Sequence, residues 1–294
     1  MNSRLQLTGA MTAIVTPFKN GQVDYQALEN LIEAQIAGGI QALVPCGTTG
    51  ESPTLSHDEH DKVIEFTIEK VAGRVPVIAG TGSNSTEEAL RLTKHAKEAG
   101  ADACLIVNPY YNKPTQEGMY QHIAKIAEAD LPIVLYNIPG RTGVEMTAET
   151  IVRLYNDFPQ VVAVKEATGK LDLASAIAAQ CDISILSGDD SLTLPLYSVG
   201  GKGVISVLAN IMPGKIRKLT DLALAGEMAK ARELHLELYP LFKNMFVETN
   251  PIPVKAAMSM LGMCENELRL PMQPLSKQHE PMIADLLKKF GFDL

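Results

Sequence analysis

A lysine that directly follows four apolar residues is the first feature of this chain that could do chemistry. Lys165 comes after Val161-Val162-Ala163-Val164 and before Glu166-Ala167-Thr168-Gly169. An amine at the end of a buried strand loses hydration, which favours its neutral form, and a neutral amine attacks a ketone to give an imine. The competing use of such a lysine is an ion pair with Glu166 or Asp189, and the strand pattern alone leaves the two uses level. Carbinolamine, imine and enamine steps each move a proton, so a hydroxyl relay must stand nearby. Tyr136 ends another apolar run, Tyr110-Tyr111 follow a third, and Thr48 and Thr49 lie between glycines in Gly47-Thr48-Thr49-Gly50. Taken alone, Tyr136 reads first as a core aromatic whose hydroxyl finds a backbone partner. The double-threonine turn is either a nest for a carboxylate or an ordinary strand-to-helix turn. Arg141, between Pro139-Gly140 and Thr142-Gly143, suits a bidentate clamp on a second carboxylate or a solvated loop.

These residues all stand at the ends of similar segments. Eight short apolar runs recur: 10–18, 41–45, 75–80, 102–107, 131–136, 161–165, 183–188 and 203–208. Each is apolar on both alternations, as a parallel strand buried on both faces reads. Amphipathic helical segments separate them. Ser56 with Glu59, and Ser85 with Glu88, form capping-box patterns, while Gly38-Gly39, Gly73 and Gly100 sit at helix ends. Eight strand-helix units by about residue 225 predict a (β/α)8 TIM barrel over 1–225, with chemistry at the carboxyl ends of its strands. Residues 226–294 read as a C-terminal helical extension packed on the barrel, joined without a flexible linker. An open doubly wound sheet is the alternative, but the only near match to its glycine fingerprint, GTGSNS at 80–85, lacks the third glycine and reads as a turn.

Composition narrows the class. Of 294 residues 46% are apolar, enough for a large core, and the net charge of -8 disfavours nucleic acid or an anionic membrane surface as a partner. An anionic substrate would need local Lys or Arg. The four cysteines, Cys46, Cys104, Cys181 and Cys264, are far apart, which argues against a disulfide framework or zinc and for a reducing cytoplasmic location. The N-terminal stretch lacks a secretory apolar region, and no segment approaches a membrane span. No HExxH, EF-hand, Walker A or G-x-S-x-G motif occurs. His57 and His60, three apart beside Asp58 and Glu59, read as the exposed first turn of a helix rather than as metal ligands. Of Asp189-Asp190, one is expected to cap the following helix. No metal and no cofactor is expected.

GTTGES (47–52), NPYYNKP (108–114), YNIPGRTG (136–143), KEATG (165–169), LSGDD (186–190) and NPIPVK (250–255) occur in that order. Together they resemble the dihydrodipicolinate synthase and N-acetylneuraminate lyase superfamily, over nearly the whole chain. The pattern is closest to the synthase branch, which condenses pyruvate with L-aspartate 4-semialdehyde on the diaminopimelate route to lysine. The resemblance implies that Lys165 forms the Schiff base and that Tyr136 transfers protons in a relay with Thr48 and with a Tyr111 reaching in from a neighbouring subunit. It implies that Thr49 holds the pyruvate carboxylate, that Gly188 and Ile205 line the pyruvate pocket, and that Arg141 binds the semialdehyde carboxylate. Arg141 is the discriminator from the alternative, a pyruvate-releasing aldolase for a sugar acid, whose polyol aldehyde brings no second carboxylate. The resemblance further implies a homotetramer, a dimer of dimers, and inhibition by L-lysine at a dimer interface. The matching positions are Ser52, Pro53, His57, His60, Asn84, Glu88 and Tyr110. Pro53 departs from the alanine of some inhibited relatives, and Glu88 also fits a capping box with Ser85.

Overall fold

The computed structural model describes residues 4–294; residues 1–3, where the predicted barrel segment and the N-terminal stretch begin, lie outside the described residues. Eight parallel strands form one sheet: β1 (Gly9–Ala13), β2 (Ala42–Val44), β3 (Ile78–Gly80), β4 (Ala103–Val107), β5 (Ile133–Asn137), β6 (Val161–Glu166), β7 (Ser184–Ser187) and β8 (Gly201–Ser206). Their order is β2-β1-β8-β7-β6-β5-β4-β3. The two end strands meet through a parallel bridge between Leu43 and Val77. Leu43 N donates to Pro76 O at 3.0 Å and Gly80 N to Pro45 O at 2.9 Å, so the sheet closes on itself. This is the (β/α)8 barrel, and each of the eight predicted runs overlaps one of its strands.

Both alternations are apolar because each faces a different core. Met11, Val44, Ile78, Leu105, Tyr136, Leu186 and Ile205 fill the barrel interior. Leu43, Ile106, Leu135, Val164 and Ile185 point outward and pack under the helices. Successive strand residues alternate sides, and each fully buried aliphatic contributes about 1.5–3 kcal/mol. Lys165 therefore shares the inward parity of Ala163, while Glu166 shares the outward parity of Val164.

The barrel helices are α1 (Tyr25–Ala37), α2 (His57–Val71), α3 (Thr86–Ala99), α4 (Gln116–Ala127), α5 (Ala148–Asp157), α6 (Leu171–Ala178), α7 (Thr193–Tyr197) and α8 (Pro213–Leu224). Helix α2 starts with a complete capping box between Ser56 and Glu59. Helix α3 does not: Ser85 accepts from Glu88 N, but the Glu88 carboxylate turns away to Ser83 and His57. Beyond the barrel come α9 (Met228–Asn244), α10 (Ile252–Met260) and α11 (Glu280–Lys289). Helix α9 packs on α8, and α11 packs on α10. Among the described residues no helix is long and apolar enough to cross a membrane.

Candidate active site

The register of the barrel puts Tyr136 and Lys165 side by side. They are paired neighbours on β5 and β6, and Val107 and Leu186 flank them in the same row. Lys165 is 5% exposed, and its Nζ stands 4.2 Å from the centre of the Tyr136 ring. Neither acidic neighbour is its partner. The outward Glu166 accepts from Thr168 N at 2.6 Å and from the Thr168 hydroxyl. Asp189 caps the turn at Ser191, accepting from its N at 3.1 Å and its Oγ at 3.0 Å. The ion-pair use of Lys165 is thus excluded by direction: alternation sends Glu166 through the barrel wall. Burial pushes the Glu166 carboxyl up, against the Thr168 hydrogen bonds.

Gly188 presses on the lysine. Its N donates to Glu166 O at 2.7 Å, and a Cβ on it would stand 2.7 Å from Ala167 Cβ and 3.2 Å from Lys165 Cε. Ile205 belongs to the same interior cluster as Tyr136.

Thr48, Tyr136 and Arg141 line one cavity of about 490 Å³, together with Ser52, Pro53, His57, His60, Glu88 and Tyr110. Thr48, Tyr136 and Arg141 thus share one continuous space with most of the effector candidates. Lys165, Thr49, Gly188, Ile205 and Asn84 are not on its wall. Thr49 is buried, and its Oγ accepts from Asn250 Nδ2 at 2.9 Å. In the turn that carries both threonines, the N–H groups of Gly50 and Glu51 bond to Gly47 O and Thr48 O. Arg141 occupies a single helical turn, Pro139–Thr142, and its Nη2 donates to Asn250 O at 3.0 Å. Asn250 therefore holds both residues expected to meet carboxylates.

On the other side of the cavity, His57 Nε2 lies 2.8 Å from Glu88 Oε1. Hydrogen bonds from Ser83 and His57 hold the Glu88 carboxyl below the usual carboxylate range. His60 corrects the reading of an exposed first turn. Only His57 is exposed; His60 is buried, with Nε2 2.9 Å from Gly80 O, and burial lowers its proton affinity. Among the described residues no three His, Cys, Asp or Glu side chains gather as metal ligands would.

Within the chain Tyr111 does not reach Tyr136. It is 90% exposed on a left-handed backbone, φ 72°. Asn84 fixes that loop, donating from Nδ2 to Tyr110 O at 3.1 Å and accepting from Asn112 Nδ2 at 2.9 Å.

Sequence reasoning gave no role to Asn250, Glu51, Lys255 or Arg269. Lys255 carried a usable signal, since it too lies among apolar neighbours in PIPVKAAM. It is 0% exposed and pairs with Glu51 at 2.7 Å.

The model of the Dihydrodipicolinate synthetase family matches residues 6–290. This chain belongs to the dihydrodipicolinate synthetase family. The 4-hydroxy-tetrahydrodipicolinate synthase of Oleidesulfovibrio alaskensis is 56% identical over 98% of this chain and 99% of its own length. The crystal structure of the family member from Aquifex aeolicus superposes with a TM-score of 0.97 at 52% identity, covering 98% of this chain and 99% of that one. Two further family structures name a bound molecule. The enzyme from Acinetobacter baumannii, described as chloride inhibited and complexed with pyruvate, is 45% identical with a TM-score of 0.95, over 97% of this chain and 99% of that one. The one from Cyanidioschyzon merolae, with lysine bound, is 42% identical with a TM-score of 0.94, over 97% and 98%. The six motifs quoted above lie within the span that the family model covers.

Proposed function

We propose that this chain is a 4-hydroxy-tetrahydrodipicolinate synthase that condenses pyruvate with L-aspartate 4-semialdehyde through an imine on Lys165. The observation that carries it is a buried lysine without an acidic partner, set against Tyr136 beside a cavity with Arg141 on its wall. The Lys165 amine attacks C2 of pyruvate, and loss of water from the carbinolamine gives the imine. Removal of a C3 proton gives the enamine, whose C3 attacks the aldehyde carbon. The amino group of the bound semialdehyde then adds to C2 and displaces Lys165, closing the ring. The protonated imine is its own electron sink, so the scheme needs no cofactor.

Tyr136 passes protons to and from the carbinolamine and the new alkoxide, with Thr48 and the Tyr111 of a neighbouring copy completing the relay. Thr49 holds the pyruvate carboxylate, Gly188 and Ile205 shape the space beside the imine, and Arg141 takes the semialdehyde carboxylate. The names of the relatives and the arginine both favour this reading over the sugar-acid aldolase. The lysine-bound relative supports L-lysine as an inhibitor held by Ser52, Pro53, His57, His60, Asn84, Glu88 and Tyr110. A carboxylate at Glu88 held in its charged form suits an ammonium ligand. We assign the assembly to a homotetramer, the location to the cytoplasm, residues 1–225 to the catalytic barrel and 226–294 to a helical extension packed on it.

Borohydride reduction in the presence of pyruvate is the test. The expected result is a covalent three-carbon adduct on Lys165; an unmodified Lys165 with label elsewhere would end the proposal. Arg141→Ala should keep that adduct and lose turnover with the semialdehyde by roughly a hundredfold or more, the loss of a bidentate charged clamp.

A further inference from the structure

The segment from Thr48 to His60 links the two halves of the cavity. Thr48, Glu51, Ser52, Pro53, Thr54, Leu55, His57 and His60 all touch it. Two carboxylates bracket the middle of this segment, Glu51 and Glu59, and both are held by cations from the C-terminal extension. Glu51 is buried and sits on a left-handed backbone, φ 53°. Its Oε1 lies 2.7 Å from Lys255 Nζ, and its Oε2 accepts from Arg269 N at 3.1 Å. Lys255 Nζ also donates to Thr16 O at 3.0 Å, beyond the end of β1. Arg269 forks onto Glu59, with Nη1 to Oε2 at 2.7 Å and Nη2 to Oε1 at 2.6 Å. Its Nη1 also donates to Thr54 O at 2.9 Å. The Phe18 ring completes the group, with Lys255 Nζ and Arg269 Cζ each 4.4 Å from its centre.

A surface ion pair would not need this arrangement. A buried lysine and a buried glutamate bring a desolvation penalty that their attraction only about offsets, so net stability does not account for them. Directional placement does: each carboxylate oxygen of Glu51 has a donor from the extension, and the left-handed turn at Glu51 is thereby held in one geometry. We infer that Lys255 and Arg269 are positioning residues: they clamp the 48–60 segment and thereby set Thr48 and Thr49 for the keto acid and His57 and His60 for the effector. The helical extension is on this view part of the active site. The inference rests on the proposed synthase reading for its functional half; its structural half stands on the contacts alone.

Two variants test it. Arg269→Met removes the fork, and the pair Lys255→Met/Glu51→Leu replaces the buried ions with apolar groups of similar size, which preserves folding where a single change would strand a charge. Hydrogen exchange by mass spectrometry on the full-length protein should show faster exchange across 48–60, with the β5 and β6 peptides unchanged. The KM for pyruvate should rise about tenfold, as for loss of a charge-assisted hydrogen bond, and kcat should fall with it, because Thr48 belongs to the proposed relay. Inhibition by lysine should weaken by a similar factor, and Arg269→Lys should restore part of the loss. Folded variants with wild-type exchange across 48–60 overturn the clamp. Faster exchange with unchanged KM and unchanged inhibition overturns its functional role. A wild-type protein that traps no pyruvate on Lys165 defeats the synthase reading instead, and the exchange measurement still decides the clamp.

Discussion

At Gly188 the space for one methyl group separates a working lysine from a crowded one. A Cβ there would meet Ala167 Cβ at 2.7 Å and Lys165 Cε at 3.2 Å, and Ala167 has no flexible end to move aside. Gly188→Ala should destabilise the fold by about 1–3 kcal/mol, as overpacking does, and slow borohydride trapping of pyruvate on Lys165. A trapping rate equal to wild type would show that the glycine does not shape the imine site. Tyr136→Phe tests the neighbour. It removes a hydroxyl and leaves the packing of a buried ring, so melting should change little while kcat falls about 10²–10⁴-fold. If kcat survives that change, Tyr136 is the core aromatic that its own sequence context suggests.

At the scale of elements, helix α2 is the most informative. Its capping box was readable from Ser56 and Glu59 because both halves lie three residues apart in the chain. The equivalent pair at Ser85 and Glu88 failed as a box because Glu88 has better partners in Ser83 and His57, one of them on another helix. The same remoteness hid Arg269, which arrives from the extension and holds the Glu59 carboxyl down to about 2 from an ordinary 4.5. A folded-state value below the unfolded one means that the unfolded chain binds the proton first. The stability from this contact is therefore complete above pH 4.5 and is lost as pH falls from there toward 2. Melting temperatures across that range should drop more steeply for wild type than for Arg269→Met, in which Glu59 has lost its main perturber. Equal slopes would place the acid sensitivity elsewhere.

At the scale of the molecule, an aromatic that is 90% exposed on a left-handed backbone serves its own barrel poorly. If Tyr111 completes a neighbour's relay, mixing two inactive proteins should restore activity. Refolding Lys165→Ala together with Tyr111→Phe gives hybrids in which an intact Lys165 meets an intact Tyr111 from the other copy. About half of the sites in such a hybrid dimer should be working; a mixture as weak as its components would make each chain self-sufficient. The barrel itself was legible because its strands are short and apolar on both alternations, a pattern that only a sheet covered on both faces satisfies. The sequence alone also placed the candidates, putting Lys165, Tyr136, Thr48, Thr49 and Arg141 at the ends of three of the apolar runs. Apolar context by itself does not separate Lys165 from Lys255, because each is a lysine among apolar neighbours. The folded chain supplies the physical difference. Alternation in β6 turns Glu166 away and leaves Lys165 beside Tyr136, whereas chain reversal across some two hundred residues brings Glu51 to Lys255. Local pattern fixes which side of an element a residue faces; what it meets there depends on segments far away in the chain.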